Sequence, residues 1–283
     1  MSVVGIVSPG FMGAGLGWAL RQGGVRVVAT VAGRSARTRR LAEEAGLELL
    51  PHLFDVLASA EVVLSVTPPG QALAAAQTIA NIARESGAKP LVADLNAISP
   101  ATMAEVHMIL AGARLPVVDG SISGPPPTAR PGARLYLSGV KAADVAGLGW
   151  GDLVKPVVLG TGIGSASALK MCTASVYKGL NGLITQAMRA AGRHGVLDQV
   201  LADLAENGLD HSAGVAVAAT KAHRYVDEMG EIAATQAGAG LTPALFAAFA
   251  EVYAQIAGTD LAHGDPESTD RTLTPAEIVA RLG

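Results

Sequence analysis

The sequence predicts an α/β domain built on a doubly wound, mostly parallel sheet over residues 1–163, followed by an all-α domain over residues 164–283. Three observations carry that prediction. Short apolar runs alternate with amphipathic segments through the first half, the pattern of parallel βαβ units with helices on both faces of a sheet. A glycine-rich turn joins the first apolar run to the first amphipathic one. Beyond Gly164 the pattern changes, and the remainder reads as helices.

In order, residues 2–7 (SVVGIV) are apolar and β-branched, hence a strand, and 12–22 form a helix that opens at glycines. Residues 25–31 (VRVVATV) make a second strand, and 36–45 (ARTRRLAEEA) a helix that is basic, then acidic. The strand at 62–66 is closed by Thr67-Pro68-Pro69-Gly70. A helix at 71–86, a strand at 90–94, a helix at 100–111 and a strand at 116–119 continue the alternation. Short strands at 135–137 and 157–159 surround a small helix. Helices follow at 165–194, 199–206, 212–222, 224–239 and 243–257, with Asp210-His211-Ser212 as a polar helix start.

Composition excludes several functions. The net charge is −3 and no run of Lys or Arg exceeds a pair, so the footprint of a nucleic-acid binder is missing. Cys172 is the single cysteine, which rules out an intrachain disulfide; a packed core thiol is expected. His52, His107, His194, His211, His223 and His263 show no metal-ligand spacing, so no metal is expected. The apolar start lacks a basic leader and is interrupted by Gly5, Pro9, Gly10 and Gly13. Residues 233–257 come nearest to a membrane span, but Gln236, Thr242, Glu251 and Gln255 break them. The expectation is a cytoplasmic protein. Trp18 and Trp150 are expected to pack.

The turn Ser8-Pro9-Gly10-Phe11-Met12-Gly13 is G-x-G-x-x-G with serine for the first glycine. Such a turn lets backbone N–H groups at a helix N-terminus approach a pyrophosphate where no Cβ intrudes. The second strand, which ends in an acid when a ribose 2′-hydroxyl is bound, here runs into Val31-Ala32-Gly33-Arg34-Ser35-Ala36-Arg37. Arg34, Ser35 and Arg37 stand where a 2′-phosphate would lie, which favours NADP over NAD. The plainer alternative is a solvated helix start with Arg37 and Arg40 pairing Glu43 and Glu44.

The segment 160–181 carries the second signal. Lys170 is the first charged residue of an apolar helix, and a buried lysine is costly without a partner or a task. At 100° per residue Lys170, Ala174, Tyr177 and Asn181 share a stripe, with Lys178 at its margin. Snorkelling from a core helix is the plain reading of Lys170. Tyr177-Lys178 are adjacent rather than spaced Y-x-x-x-K, which rules out a short-chain dehydrogenase pair.

Four segments together resemble the β-hydroxyacid dehydrogenases, relatives of 6-phosphogluconate dehydrogenase. GIVSPGFMG is similar to their opening turn, and Asp94-Leu95-Asn96-Ala97-Ile98-Ser99-Pro100 to their D-x-S-T-x-x-P segment. Asp119-Gly120-Ser121-Ile122-Ser123-Gly124 resembles their substrate loop D-A-P-V-S-G, and residues 164–170 their G-x-G-x-x-x-K. The resemblance implies a Rossmann domain, a helical domain that dimerises, and a site in the cleft between them. It implies hydride transfer between a nicotinamide cofactor and a small hydroxy acid or related alcohol/carbonyl substrate. Lys170 would be the general acid/base, with Ser123 and Gly124 holding the substrate. Ser8, Pro9, Gly10, Phe11 and Met12, with Thr67, Pro68 and Asn96, would line the cofactor.

The chain departs from that family at three places. Ala174 replaces the asparagine of K-x-x-x-N, so Tyr177, Lys178 or Asn181 is the candidate replacement. Pro125 replaces the second glycine of S-G-G, and Arg224-Tyr225-Val226-Asp227-Glu228 stands where a late K-D is usual. Lys178 is also a candidate second cation beside Lys170, and Glu228 and Glu231 either reach the cleft or are solvated or paired. This combination resembles a less characterised branch with a C-terminal domain of unknown function. Two other readings stay open: C=N reduction of the imine reductase type, and an NADP-binding protein without catalysis. The Ala-rich segments 214–220 and 244–257 favour a homodimer.

Overall fold

The structure, a computed structural model, describes residues 2–209 and 212–283, so Asp210 and His211 of the polar helix start lie outside it. The chain forms two compact units, Met1–Met171 and Cys172–Gly283. The composition change at 160–164 precedes that division by about two helical turns.

The first unit is built on one sheet of eight strands: β1 (Val3–Val7), β2 (Arg26–Ala29), β3 (Glu48–Leu49), β4 (Val62–Ser65), β5 (Leu91–Asp94), β6 (Val117–Ser123), β7 (Ala133–Ser138) and β8 (Val154–Gly160). Their order is β3-β2-β1-β4-β5-β6-β7-β8. All pairings are parallel except β6 with β7. The helices are α1 (Phe11–Gln22), α2 (Ala36–Glu44), α3 (Leu53–Ser59), α4 (Ala72–Ser86), α5 (Pro100–Ala111) and α6 (Ala142–Ala146).

Side chains alternate across each strand, so a sheet covered on both faces needs strands that are apolar throughout. Val4, Ile6, Val62, Leu64, Leu91 and Ala93 enter one core with α1, α2 and α6. Val7, Val63 and Val92 enter the other, with residues of α3, α4 and α5. Trp150 is buried and donates its indole N–H to the Val145 carbonyl at 2.9 Å, and half-buried Trp18 packs on the first core. Both tryptophans pack as expected.

Two parts of the unit were not legible in sequence. β3 has two residues and α3 seven, too short to show a period. β6 continues four residues past Asp119 through Gly-Ser-Ile-Ser, a composition that reads as loop. The antiparallel neighbour β7 supplies the missing support, from Asp119 opposite Ser138 to Ser123 opposite Arg134.

The second unit is helical. α7 (Ser165–Arg193) begins in the first unit and spans 29 residues, roughly 43 Å. α8 (Leu197–Glu206), α9 (Ser212–Ala219), α10 (Ala222–Gly238), α11 (Ala244–Ala257) and α12 (Pro275–Leu282) follow. The last was missed, although T-P-A-E at its start is a capping-box signal: Glu277 accepts from Thr274 N at 2.8 Å, and Thr274 Oγ1 accepts from Glu277 N at 3.3 Å. Among the described residues no helix is long and apolar enough to cross a membrane.

Candidate active site

The strand order reverses between β1 and β4, so their carboxyl ends open a crevice where open α/β sheets take ligands. The β1–α1 turn lies there. Ser8 adopts φ 66°, the left-handed conformation for which glycine is the usual choice. A Cβ on Gly13 would lie 2.6 Å from the Ser8 carbonyl oxygen, so this position admits only glycine. A Cβ on Gly10 would meet no atom within 4 Å, and no side chain caps α1 there. Open space at an uncapped helix N-terminus fits a pyrophosphate. Phe11 and Met12 turn their side chains onto the core, and Pro9 is buried. Ser8→Gly should raise the unfolding free energy by about 0.5–1 kcal/mol, relief of left-handed strain offset by glycine entropy. A urea midpoint equal to or below the parent's would contradict that.

Thr67 and Asn96 meet at the ends of β4 and β5. Asn96 Oδ1 accepts from Thr67 N at 2.6 Å and from Thr67 Oγ1 at 3.2 Å. Its Nδ2 donates to Asp94 at 2.9 Å and to Ser65 at 3.4 Å. The Asn96 amide is thus occupied by the protein and shapes the Thr67-Pro68 turn. Pro68 itself is exposed. Asp94 lies opposite Asp119 on the neighbouring strand, and both are at most 2% exposed. Burial, and to a lesser degree the Asp119 charge, pushes the Asp94 carboxyl up to about 7 despite the Asn96 and Ser65 hydrogen bonds.

At the exit of β2, Arg34 is exposed and Arg37 half-buried. Ser35 caps α2, its Oγ accepting from Thr38 N at 3.2 Å. Arg40 pairs Glu44 at 3.1 Å, part of the solvated-helix alternative.

Lys170, half-buried in the second turn of α7, donates to the Ile122 carbonyl at 2.8 Å. Ile122 directly precedes Ser123-Gly124, so one hydrogen bond brings the lysine beside that segment. The start of α7 is held by Asp119 of β6. Asp119 Oδ2 accepts from Gly164 N at 2.9 Å, Ala166 N at 2.9 Å, Ser167 N at 3.2 Å and Ser138 Oγ at 2.8 Å. Its Oδ1 accepts from Ser167 Oγ at 2.7 Å. A buried carboxylate here satisfies the unpaired N–H groups and the positive end of the helix. In the sequence Asp119 is the acid that closes the otherwise apolar strand predicted at 116–119.

Within the second unit, Lys178 makes a nearly buried ion pair with Glu228, and its ammonium lies 4.5 Å from the Tyr225 ring centroid. Tyr253 donates to the Lys178 carbonyl at 2.7 Å and meets Tyr225 edge-on at 5.2 Å. Burial raises the Tyr225 hydroxyl to about 12. Glu228 is paired rather than solvated. Asn181 is half-buried, with its Oδ1 3.2 Å from where a Gly214 Cβ would stand, and Tyr177 is 69% exposed. Cys172 corrects an expectation: it is exposed, not a core thiol, because it shares the outward stripe of α7 with Val176 and Leu183. Among the described residues no group of three or more His, Cys, Asp or Glu could hold a metal ion.

The sequence pattern of the NAD binding domain of 6-phosphogluconate dehydrogenase matches residues 3–148, just over half the chain. The chain belongs to that dehydrogenase NAD-binding family. In this member the matched region contains β1 through β7, the Ser8–Gly13 turn and the Asp94–Asn96–Thr67 network. A domain of unknown function (DUF1932) matches residues 191–256, the helices from α8 to α11.

A relative from Methanothermus fervidus, an uncharacterized 28.5 kDa protein in 7S RNA 5′ region, is 26% identical over 64% of this chain and 68% of its own. The solved conserved protein MTH1747 of unknown function, described as similar in structure to 3-hydroxyacid dehydrogenases, is 28% identical. It covers 90% of this chain and 96% of its own, with a TM-score of 0.64. The 3-hydroxyisobutyrate dehydrogenase of Mycobacterium tuberculosis, solved with L-serine, shares the fold at 20% identity, 100% and 99% coverage, and a TM-score of 0.72. An imine reductase of Myxococcus stipitatus with NADP+ shares it at 17% identity, 90% and 93% coverage, and 0.56; a variant was solved with NAD+.

Proposed function

We propose that this protein is an NAD(P)-dependent oxidoreductase that uses NADP and a small hydroxy acid or related alcohol/carbonyl substrate, with Lys170 as general acid/base. One observation carries the reading: the Lys170 ammonium sits 2.8 Å from the Ile122 carbonyl, one residue from Ser123-Gly124. Family membership and the open turn at Gly10 support the cofactor. When bound, the nicotinamide supplies or accepts hydride. The chain's part is to hold the reactants and move one proton. Ser123 and Gly124 bind the substrate carboxylate or hydroxyl, and Lys170 exchanges a proton with the reacting oxygen. Ser8, Pro9, Gly10, Phe11 and Met12 form the pyrophosphate turn, and Thr67 and Pro68, set by Asn96, flank the nicotinamide half. Tyr177, Lys178 and Asn181 are proposed as further substrate-binding residues, with the Lys178 charge balanced by Glu228.

Cofactor oxidation or reduction across a panel of hydroxy acids, aldehydes, ketones and imines tests the reading. Turnover of hydroxy acids or carbonyls supports it; tight NADP binding with no turnover on any of them would defeat it. Turnover confined to imines would favour the second reading, which the shared fold of imine reductases motivates.

The preference for NADP rests on Arg34, Ser35 and Arg37 in place of an acid. Arg34→Ala should weaken NADPH binding about tenfold, as expected for one charge-assisted phosphate contact, and leave NADH binding unchanged. Equal losses for both cofactors would count against the assignment. A homodimer is proposed from the exposure of Val176 (65%), Tyr177 (69%), Leu183 (57%) and Leu245 (57%). A monomeric mass in light scattering at micromolar concentration would exclude it.

A further inference from the structure

We infer that Asp119 is the positioning residue of Lys170: its carboxylate docks the first turn of α7 on β6 and thereby sets the station of the ammonium on the Ile122 carbonyl. The inference rests on the general-acid/base reading of Lys170 for its functional meaning, but its geometry is independent of any substrate.

Three ties join the same strand to the first two turns of the same helix. Asp119 receives the N–H groups of Gly164, Ala166 and Ser167 and the Ser167 hydroxyl. Ser121 donates to the Ala166 carbonyl at 2.9 Å. Lys170 then reaches the Ile122 carbonyl at 2.8 Å. Asp119 and Ser121 are two residues apart, so both side chains leave β6 on one face. Ala166 and Lys170 are four apart, so they lie one above the other on α7. Strand and helix therefore form a closed frame with Lys170 at its open end. A one-residue slip of the helix would rotate the lysine by about 100° away from the substrate loop.

The frame is buried. Asp119, Ser138 and Ser167 are fully buried, Ser121 is 1% exposed, and Ser138 braces the carboxylate from β7. Ala166 N also donates to Ser138 Oγ at 3.2 Å, so losing Asp119 leaves the buried N–H groups of Gly164 and Ser167 without an acceptor, which a movement of the first turn of α7 relieves. That movement displaces Lys170, which follows on the same helix and is tied to the same strand.

A short pulse of acetic anhydride, read by peptide mass spectrometry, reports the nucleophilicity and access of each lysine without any substrate. In Asp119→Asn, labelling of Lys170 relative to Lys141 should rise at least fivefold. NADPH affinity should stay within twofold of the parent. Ser138→Ala with Ser167→Ala, which keeps the carboxylate but removes two of its donors, should raise labelling about twofold and decides the matter if Asp119→Asn does not fold. Unchanged Lys170 labelling in the folded variants would overturn the inference. So would a rise matched by the same increase in amide exchange across β5, which marks general loosening. Should the parent prove inactive on every substrate, the oxidoreductase reading fails while the labelling result stands.

Discussion

Lys170→Met should lower turnover by roughly 10²–10⁴-fold, the usual contribution of a positioned general acid/base, while cofactor affinity changes by less than about twofold. Methionine keeps the reach of the side chain but cannot donate to the Ile122 carbonyl or exchange a proton. Cofactor affinity is expected to survive because the cofactor candidates are carried by other elements, at the ends of β1, β2, β4 and β5. Lys170→Arg separates two contributions. Arginine keeps the positive charge but does not deprotonate in proteins, so substrate binding should be retained and turnover lost. Steady-state kinetics on a substrate confirmed for the parent, with fluorescence titration of NADPH, gives both numbers. Turnover of Lys170→Met within a few-fold of the parent would remove the lysine from the chemistry.

The folding stability of the parent should fall on the order of 2–3 kcal/mol between pH 5 and pH 8 relative to Asp94→Asn. The Asp94 carboxyl is raised from an ordinary 3.8 to about 7 in the folded chain, first by burial and then by the charge of Asp119. The folded state therefore holds a proton that the unfolded state releases from about pH 4 upward. The stability this proton confers is full at low pH and is lost as pH rises through about 7. Asparagine does not titrate, so the variant lacks this slope. Urea unfolding at several pH values, compared pairwise, isolates the effect from all other titrating groups. Parallel curves for parent and variant would show that Asp94 is ionised throughout and that the network around Asn96 compensates its burial.

The elements that sequence pattern recovered are those long enough to display a period. Residues 100–111 matched α5 to the residue, and the strands at 62–66 and 90–94 each overran by one residue at one end. The elements it missed were short, or were polar and held by a neighbour. β3 has two residues, and the second half of β6 is Gly-Ser-Ile-Ser, a strand only because β7 lies beside it. Cys172 illustrates another limit. Its apolar surroundings in sequence suggested burial, but which stripe of a long helix faces outward depends on what packs against it.

Local chemistry along the chain was enough to determine the alternation of strand and helix, the nucleotide turn, the missing acid after β2 and the candidacy of Lys170. Each is a matter of residue type within about ten positions, which periodicity, glycine sterics and charge express directly. Only the tertiary structure decided what holds those residues. Asp119 is 51 residues from Lys170, and Lys178 is 50 from Glu228. Asp94 and Asp119 become neighbours only when β5 and β6 pair. Buried carboxylates and ammonium groups take their partners from whatever the fold brings within reach, and that choice is made in space rather than along the chain.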